Sequence, residues 1–167
     1  LKDAGNIICA NSLRIDWNEV LPHSVDQEVY LMGNPPYYGA RKQTPEQKDD
    51  LSYVFKNYDV SIGNLDYISG WFLKATEYID NTKARVSFVS TNSIIQGTQV
   101  PLLWSLHLKE NVCIDTAYPS FKWGNSAKNQ AGVVVVIIGM CAIGNLRSKK
   151  IFSGSSMKIV DNISPYL

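Results

Sequence analysis

Charge of one sign is missing from this sequence: 16 Lys and Arg stand against 15 Asp and Glu, a net charge of +1 over 167 residues. Without a basic excess, contact with a nucleic acid has to come from clustered cations. Histidine is reduced to His23 and His107. Neither has the neighbours that acid–base or metal chemistry needs, and both read as surface or packing residues. Cys9, Cys113 and Cys141 are odd in number and fit no metal or redox spacing,. They read as small core residues in a reduced, cytoplasmic setting. None follows a proline or sits in basic surroundings, which speaks against the activated cysteine of cytosine-C5 chemistry. No Gly-x-Ser-x-Gly occurs, which removes serine hydrolysis. No signal-peptide pattern is visible. The longest apolar run, Ala131–Ile143, is too short to cross a bilayer and reads as a buried strand, so no membrane partner is expected,.

What is present is 45% hydrophobic and 19% charged, enough for the core of one domain,. Its most informative stretch is Leu31-Met32-Gly33-Asn34-Pro35-Pro36-Tyr37. Proline fixes φ and has no N–H, so Pro35 and Pro36 hold the backbone extended and leave their carbonyls free as acceptors. Asn34 adds a side-chain carbonyl, and Tyr37 a flat face for stacking. Two acceptors beside a ring suit a planar conjugated amine such as the exocyclic amine of a nucleobase.

Strand and helix patterns alternate along the chain. Asn6–Ala10 reads as a strand end opening onto Asn11-Ser12, and Val29–Met32 as a strand ending at Gly33-Asn34. Thr44-Pro45-Glu46-Gln47 carries the cap and capping-box signals of a helix running to about Tyr58,. Asn64 or Asp66 caps the next helix, which buries Ile68, Trp71, Phe72, Ala75 and Ile79,. Arg85–Ser90 is a strand, and a helix follows Thr91-Asn92-Ser93 to about Leu102–Lys109. Val112–Tyr118 is a strand, and Val133–Ile138 a central one buried on both faces,. Pro119–Gln130 reads as a long connection carrying Phe121 and Trp123, and the end from Arg147 as an edge hairpin leading to a linker,. Such alternation predicts an α/β sheet with helices on both faces. Ligands then sit beyond the carboxyl ends of the strands, where Asn11, Asn34 and Asn92 fall. Asn92 either lines that site or caps the following turn, while Arg41, Lys42 and Lys48 read as solvated surface rather than phosphate ligands.

Asn34-Pro35-Pro36-Tyr37 resembles the catalytic tetrapeptide of S-adenosylmethionine-dependent amino-methyltransferases, above all the N6-adenine DNA methyltransferases. Further blocks match in order over roughly residues 6–140. Asn11-Ser12-Leu13 is similar to the loop that contacts the methyl donor, and Asp66-Tyr67-Ile68 with Trp71-Phe72 to the helix behind the site. Phe88–Ile94 is similar to the border of the base pocket, and Ser120–Asn125 to an aromatic-bearing hairpin. The ordered set looks like the methylase part of large single-chain restriction–modification enzymes.

The resemblance implies part of a Rossmann-like class I methyltransferase fold, an α/β architecture with a mixed, mostly parallel sheet flanked by helices. Residues 1–146 would form a partial catalytic domain, and 147–167 a hairpin or linker toward a recognition domain. The implied catalytic residues are Asn34, Pro35, Pro36 and Tyr37. Tyr37, Asn92 and either Phe121 or Trp123 would hold the base, and Asn11, Ser12 and Asn34 would meet the cofactor, S-adenosylmethionine. Double-stranded DNA is the implied partner. N4-cytosine or protein-glutamine methylation, and a non-catalytic DNA-binding module, are the alternatives. The family's glycine-rich donor loop and following acidic residue do not occur here. The chain is therefore expected to be an inactive piece of a longer protein, lacking the N-terminal cofactor half and self-associating through an uncovered sheet edge.

Overall fold

Thr44 starts the first long helix as its sequence predicts: its hydroxyl accepts the Gln47 N–H at 3.3 Å, and the Gln47 side chain accepts the Thr44 N–H at 3.0 Å. In the computed structural model, which describes residues 7–108, 111–123 and 133–167, this is the second of four helices: α1 (Trp17–Val20), α2 (Pro45–Val54), α3 (Ser69–Ile79) and α4 (Gln99–His107). α2 ends four residues short of Tyr58 because Phe55, 3% exposed, leaves the helix to enter the core. The helix expected after Thr91 is broken: a 3-10 turn, Asn92–Ile95, comes first. Gly97 then takes φ +54, and α4 follows. Only glycine accepts that backbone readily, so Gly97 resets the chain direction.

Six strands, β1 (Tyr30–Gly33), β2 (Arg85–Thr91), β3 (Val112–Trp123), β4 (Val133–Ala142), β5 (Lys149–Ser153) and β6 (Ser156–Val160), form one sheet in the order β1-β2-β4-β3-β5-β6. β1–β2 and β3–β5 pair in parallel, while β2–β4, β3–β4 and β5–β6 are antiparallel. The sheet is thus mixed but not mostly parallel. The chain turns back on itself at β3–β4 and β5–β6, and such returns are antiparallel.

Helices on both faces were expected, but among the described residues they lie on one. Along β2, Val86, Phe88 and Ser90 are buried while Arg85, Ser87, Val89 and Thr91 are half-buried. Strands alternate faces residue by residue, so this pattern marks β2 as covered fully on one side and partly on the other. The covering layer centres on Phe72 of α3, whose ring meets Phe88 of β2 and Trp104 of α4 edge-on, each at 5.5 Å between centroids. The predicted α3 stripe is its buried face: Ile68, Phe72, Ala75 and Ile79 have no exposure and Trp71 little. Removing aromatics of this size from water stabilises the layer by roughly 2–3 kcal/mol each.

Two further readings are corrected. Ile7–Ala10 forms no strand, and Ile7 and Cys9 are exposed, so Cys9 is no core residue. Pro119–Trp123 is not a loop but the continuation of β3, carried past Tyr118 by a register shift against β4. Such a bulge lets Pro119 sit in a strand without owing the ladder an N–H. The remainder of that expected connection, 124–130, lies outside the described residues. β4 does run centrally between β2 and β3, with Val135 and Val136 both fully buried.

Candidate active site

β1, β2 and β3 all point the same way, so their carboxyl ends lie at one end of the sheet. Asn34, Asn92 and Trp123 follow or close those strands and gather there. Asn34 is exposed and its side chain makes no hydrogen bond among the described residues. Pro35 is buried, Pro36 exposed, and Tyr37 half-buried against the core. The tetrapeptide therefore presents a free amide on an anchored backbone.

The anchor is Asp66, 4% exposed, in the segment leading into α3. Its Oδ1 accepts the Tyr38 N–H at 3.0 Å and the Ile68 N–H at 3.3 Å, and its Oδ2 accepts the Ser93 hydroxyl at 3.4 Å. The Tyr38 carbonyl accepts the Tyr67 N–H at 2.9 Å and the Gln43 side-chain amide at 3.0 Å. Gln43 also donates to the Leu65 carbonyl at 2.8 Å. Gln99, opening α4, accepts the Asp66 N–H at 3.1 Å. Asp66 thus ties the tetrapeptide loop to the loop after β2 through its carboxylate, and to α4 through its backbone N–H. Burial pushes its carboxyl above the ordinary range, against the pull of those hydrogen bonds,.

A second buried carboxylate, Asp50 of α2, holds the Asn11 loop. It accepts Asn11 Nδ2 at 2.9 Å, Arg14 Nε at 2.6 Å and the Tyr67 hydroxyl at 2.7 Å. Burial would raise its carboxyl, but the bonds from Tyr67, Arg14 and Asn11 outweigh it and hold it below the ordinary range,. Asn11 Oδ1 accepts the Leu13 N–H at 3.0 Å, so the Asn11 amide joins its own loop to α2. Asp66 and Tyr67 are adjacent, so one dipeptide fixes both loops.

Ser12 gives its carbonyl to Trp17 Nε1 at 2.8 Å and lines an apolar cleft of about 360 Å³ with Trp17, Leu31 and Tyr78. Asn92 does not cap: the 3-10 turn it opens has no side-chain cap, and its amide makes no hydrogen bond among the described residues. Phe121 contacts Tyr118 edge-on at 4.9 Å and Trp123 at 6.2 Å, forming an aromatic row along β3. That row closes β3, three strand positions from β1 in the sheet order. His23 packs on Tyr78 at 4.5 Å, beside the Ser12 cleft rather than the tetrapeptide.

The sequence reading missed Asp50, Gln43 and Gln99, and took Asp66 as an alternative cap and as part of the block behind the site, not as its anchor. The contacts of Asp66 reach 28 residues back and 27 forward, and no local spacing announces them.

A family model, MmeI DNA-methyltransferase domain, matches residues 1–153. The chain belongs to the MmeI DNA-methyltransferase domain family. It is 48% identical over 168 aligned residues to DNA methyltransferase A of Bacillus subtilis (strain 168), spanning all of this chain and 19% of that protein. It superposes on the type IIL restriction-modification enzyme MmeI, solved in complex with DNA, with TM-score 0.85 and 42% identity, over all of this chain and 23% of the other. The chain spans about a fifth of the length of these relatives.

Proposed function

We propose that this chain forms the acceptor side of an adenine-N6 DNA methyltransferase acting within a restriction–modification system. The observation that carries the reading is the uncommitted Asn34 amide on a backbone pinned by Asp66. Adenine N6 is a poor nucleophile because its lone pair is delocalised into the ring. Hydrogen bonds from N6–H to Asn34 Oδ1 and the Pro35 carbonyl withdraw the amine from conjugation and aim its lone pair outward. This is catalysis by orientation and preorganised electrostatics, with no covalent enzyme intermediate and no general base. The base leaves the duplex first, at a cost of a few kcal/mol. Stacking on Tyr37 offsets roughly 1–3 kcal/mol of that.

The methyl donor of this reading is S-adenosylmethionine, which supplies an electrophilic sulfonium methyl. The described residues fit one side of such a group only: the Ser12 cleft offers apolar and aromatic surface but no carboxylate for ribose hydroxyls. Asn11, held by Asp50 and the Leu13 N–H, keeps a second N–H and a second lone pair on an exposed side chain for the donor,.

The test uses the full-length protein with radiolabelled S-adenosylmethionine and duplex DNA, digested to nucleosides, alongside Asn34→Ala. Label in N6-methyladenine that falls at least about 100-fold in the variant is expected, since misplaced acceptors cost on that order. Label in N4-methylcytosine corrects the base and keeps the mechanism. No label in DNA overturns the reading in favour of a protein substrate or a non-catalytic module.

A further inference from the structure

Just past the tetrapeptide the chain makes a 3-10 turn, Ala40–Lys42, closed by the Lys42 N–H on the Gly39 carbonyl at 2.8 Å. This turn faces Asn64, Thr98 and Gln99 across a cleft of about 430 Å³. Both walls are fixed by Asp66. Tyr38, next to Gly39, donates its N–H to the carboxylate, and Gln99 accepts the Asp66 N–H while donating to the Asn64 carbonyl. Gln99 is thereby floor rather than ligand.

The charges in this cleft are unbalanced. Arg14, Arg85 and Arg147 each hold a carboxylate, whereas Arg41 is exposed and holds none among the described residues; Lys42, unpaired like Lys48, Lys56 and Lys158, stands beside it in the same cleft. No acidic residue lines the cleft. At its far wall Thr98, the N-cap of α4, makes no side-chain cap, so first-turn N–H groups of a nine-residue helix add to the same positive field,. Lys48, by contrast, lines a separate recess with Leu51 and Ser52. A rigid, acid-free cleft with two free cations takes an oxyanion.

Its position says which one. Arg41 is four residues from Tyr37, within about 14 Å of chain reach,. Successive side chains of a 3-10 turn diverge by about 120°, so Arg41 and Lys42 address neighbouring groups rather than one. We propose that Arg41 and Lys42 bind two successive backbone phosphates of the DNA strand beside the target nucleotide. This assignment rests on the DNA-methyltransferase reading above. Held there, the strand is fixed in register while its base turns toward Asn34, and no sequence information is read.

The experiment measures binding of the full-length protein to duplex DNA between 50 and 200 mM KCl, with methyl transfer assayed on the same preparations. Each phosphate contact contributes about 0.9 to the slope of log affinity against log salt. Arg41→Ala with Lys42→Ala is expected to flatten that slope by about 1.8, so the fourfold rise in salt costs the variant about 12-fold less affinity than it costs wild type. Arg41→Lys with Lys42→Arg and, separately, Lys48→Ala should keep the wild-type slope. An unchanged slope in the alanine variant, with wild type still methylating DNA, overturns the phosphate site and leaves the methyltransferase reading standing. A wild type that neither binds nor methylates DNA overturns both.

Discussion

Removing the Asp66 carboxylate should disable methyl transfer far more than it weakens DNA binding. Asp66 Oδ1 takes two backbone N–H groups, those of Tyr38 and Ile68, in a site from which water is excluded. In Asp66→Ala both donors lose their acceptor, at roughly 1–3 kcal/mol each. The loop relieves that cost by swinging Tyr38 toward water, which carries Asn34–Tyr37 with it. A displacement near 1 Å at the reacting atoms costs on the order of 100-fold. Single-turnover transfer by the full-length protein should therefore fall about 100-fold, while DNA affinity, with the Arg41–Lys42 turn loosened beside Tyr38, should fall by about tenfold at most. Asp66→Asn is the decisive companion. Its Oδ1 accepts the same two N–H groups and its Nδ2 donates to Ser93, whose hydroxyl lies 2.7 Å from that of Thr91 and is free to reorient. Transfer by this variant should stay within about fivefold of wild type, since hydrogen-bond geometry rather than charge positions the loop. Equal losses in both variants, or no loss in Asp66→Ala, would refute the reasoning.

The two buried carboxylates respond to acid in opposite senses. Asp50 is depressed in the folded protein, so its stabilisation is full above the unfolded value near 3.9 and fades as pH falls through the folded one,. Asp66 is raised, so its ionised form is penalised, and its contribution is lost as pH rises through the folded value,. Urea midpoints of the full-length protein between pH 3 and 7 should show a shallower acid limb in Asp50→Asn and a steeper one in Asp66→Asn. The isolated 167-residue chain is expected to self-associate through β1, an edge strand whose Met32 is 81% exposed. Met32→Lys should shift its sedimentation toward monomer, and a wild-type chain that already sediments as a monomer would sink the idea.

The capping box at Thr44, the α3 stripe and the doubly buried β4 were legible because each is a local pattern with a fixed period. The one-sided cover was also written in the sequence, in the alternation of Arg85-Val86-Ser87-Phe88, but the strand–helix succession drew the reading toward two helical layers. The site divided in the same way. Asn34 is a candidate that its neighbouring prolines single out, whereas Asp50 and Asp66 are single acids whose meaning lies in partners 17 to 39 residues distant. The extension of β3 was hidden because Pro119 reads as a breaker until a bulge excuses it from the ladder,.

The hydrogen bonds that hold the tetrapeptide loop run through the peptide groups of Tyr38, while Pro35 and Tyr37 add only apolar packing. A loop held this way is indifferent to the lettering of its outer residues. Tyr37 can be exchanged for another ring, or Tyr38 for something smaller, with the two acceptors still pointing where they did. Descendants of such a protein can change which planar amine they stack against while keeping the device that activates it.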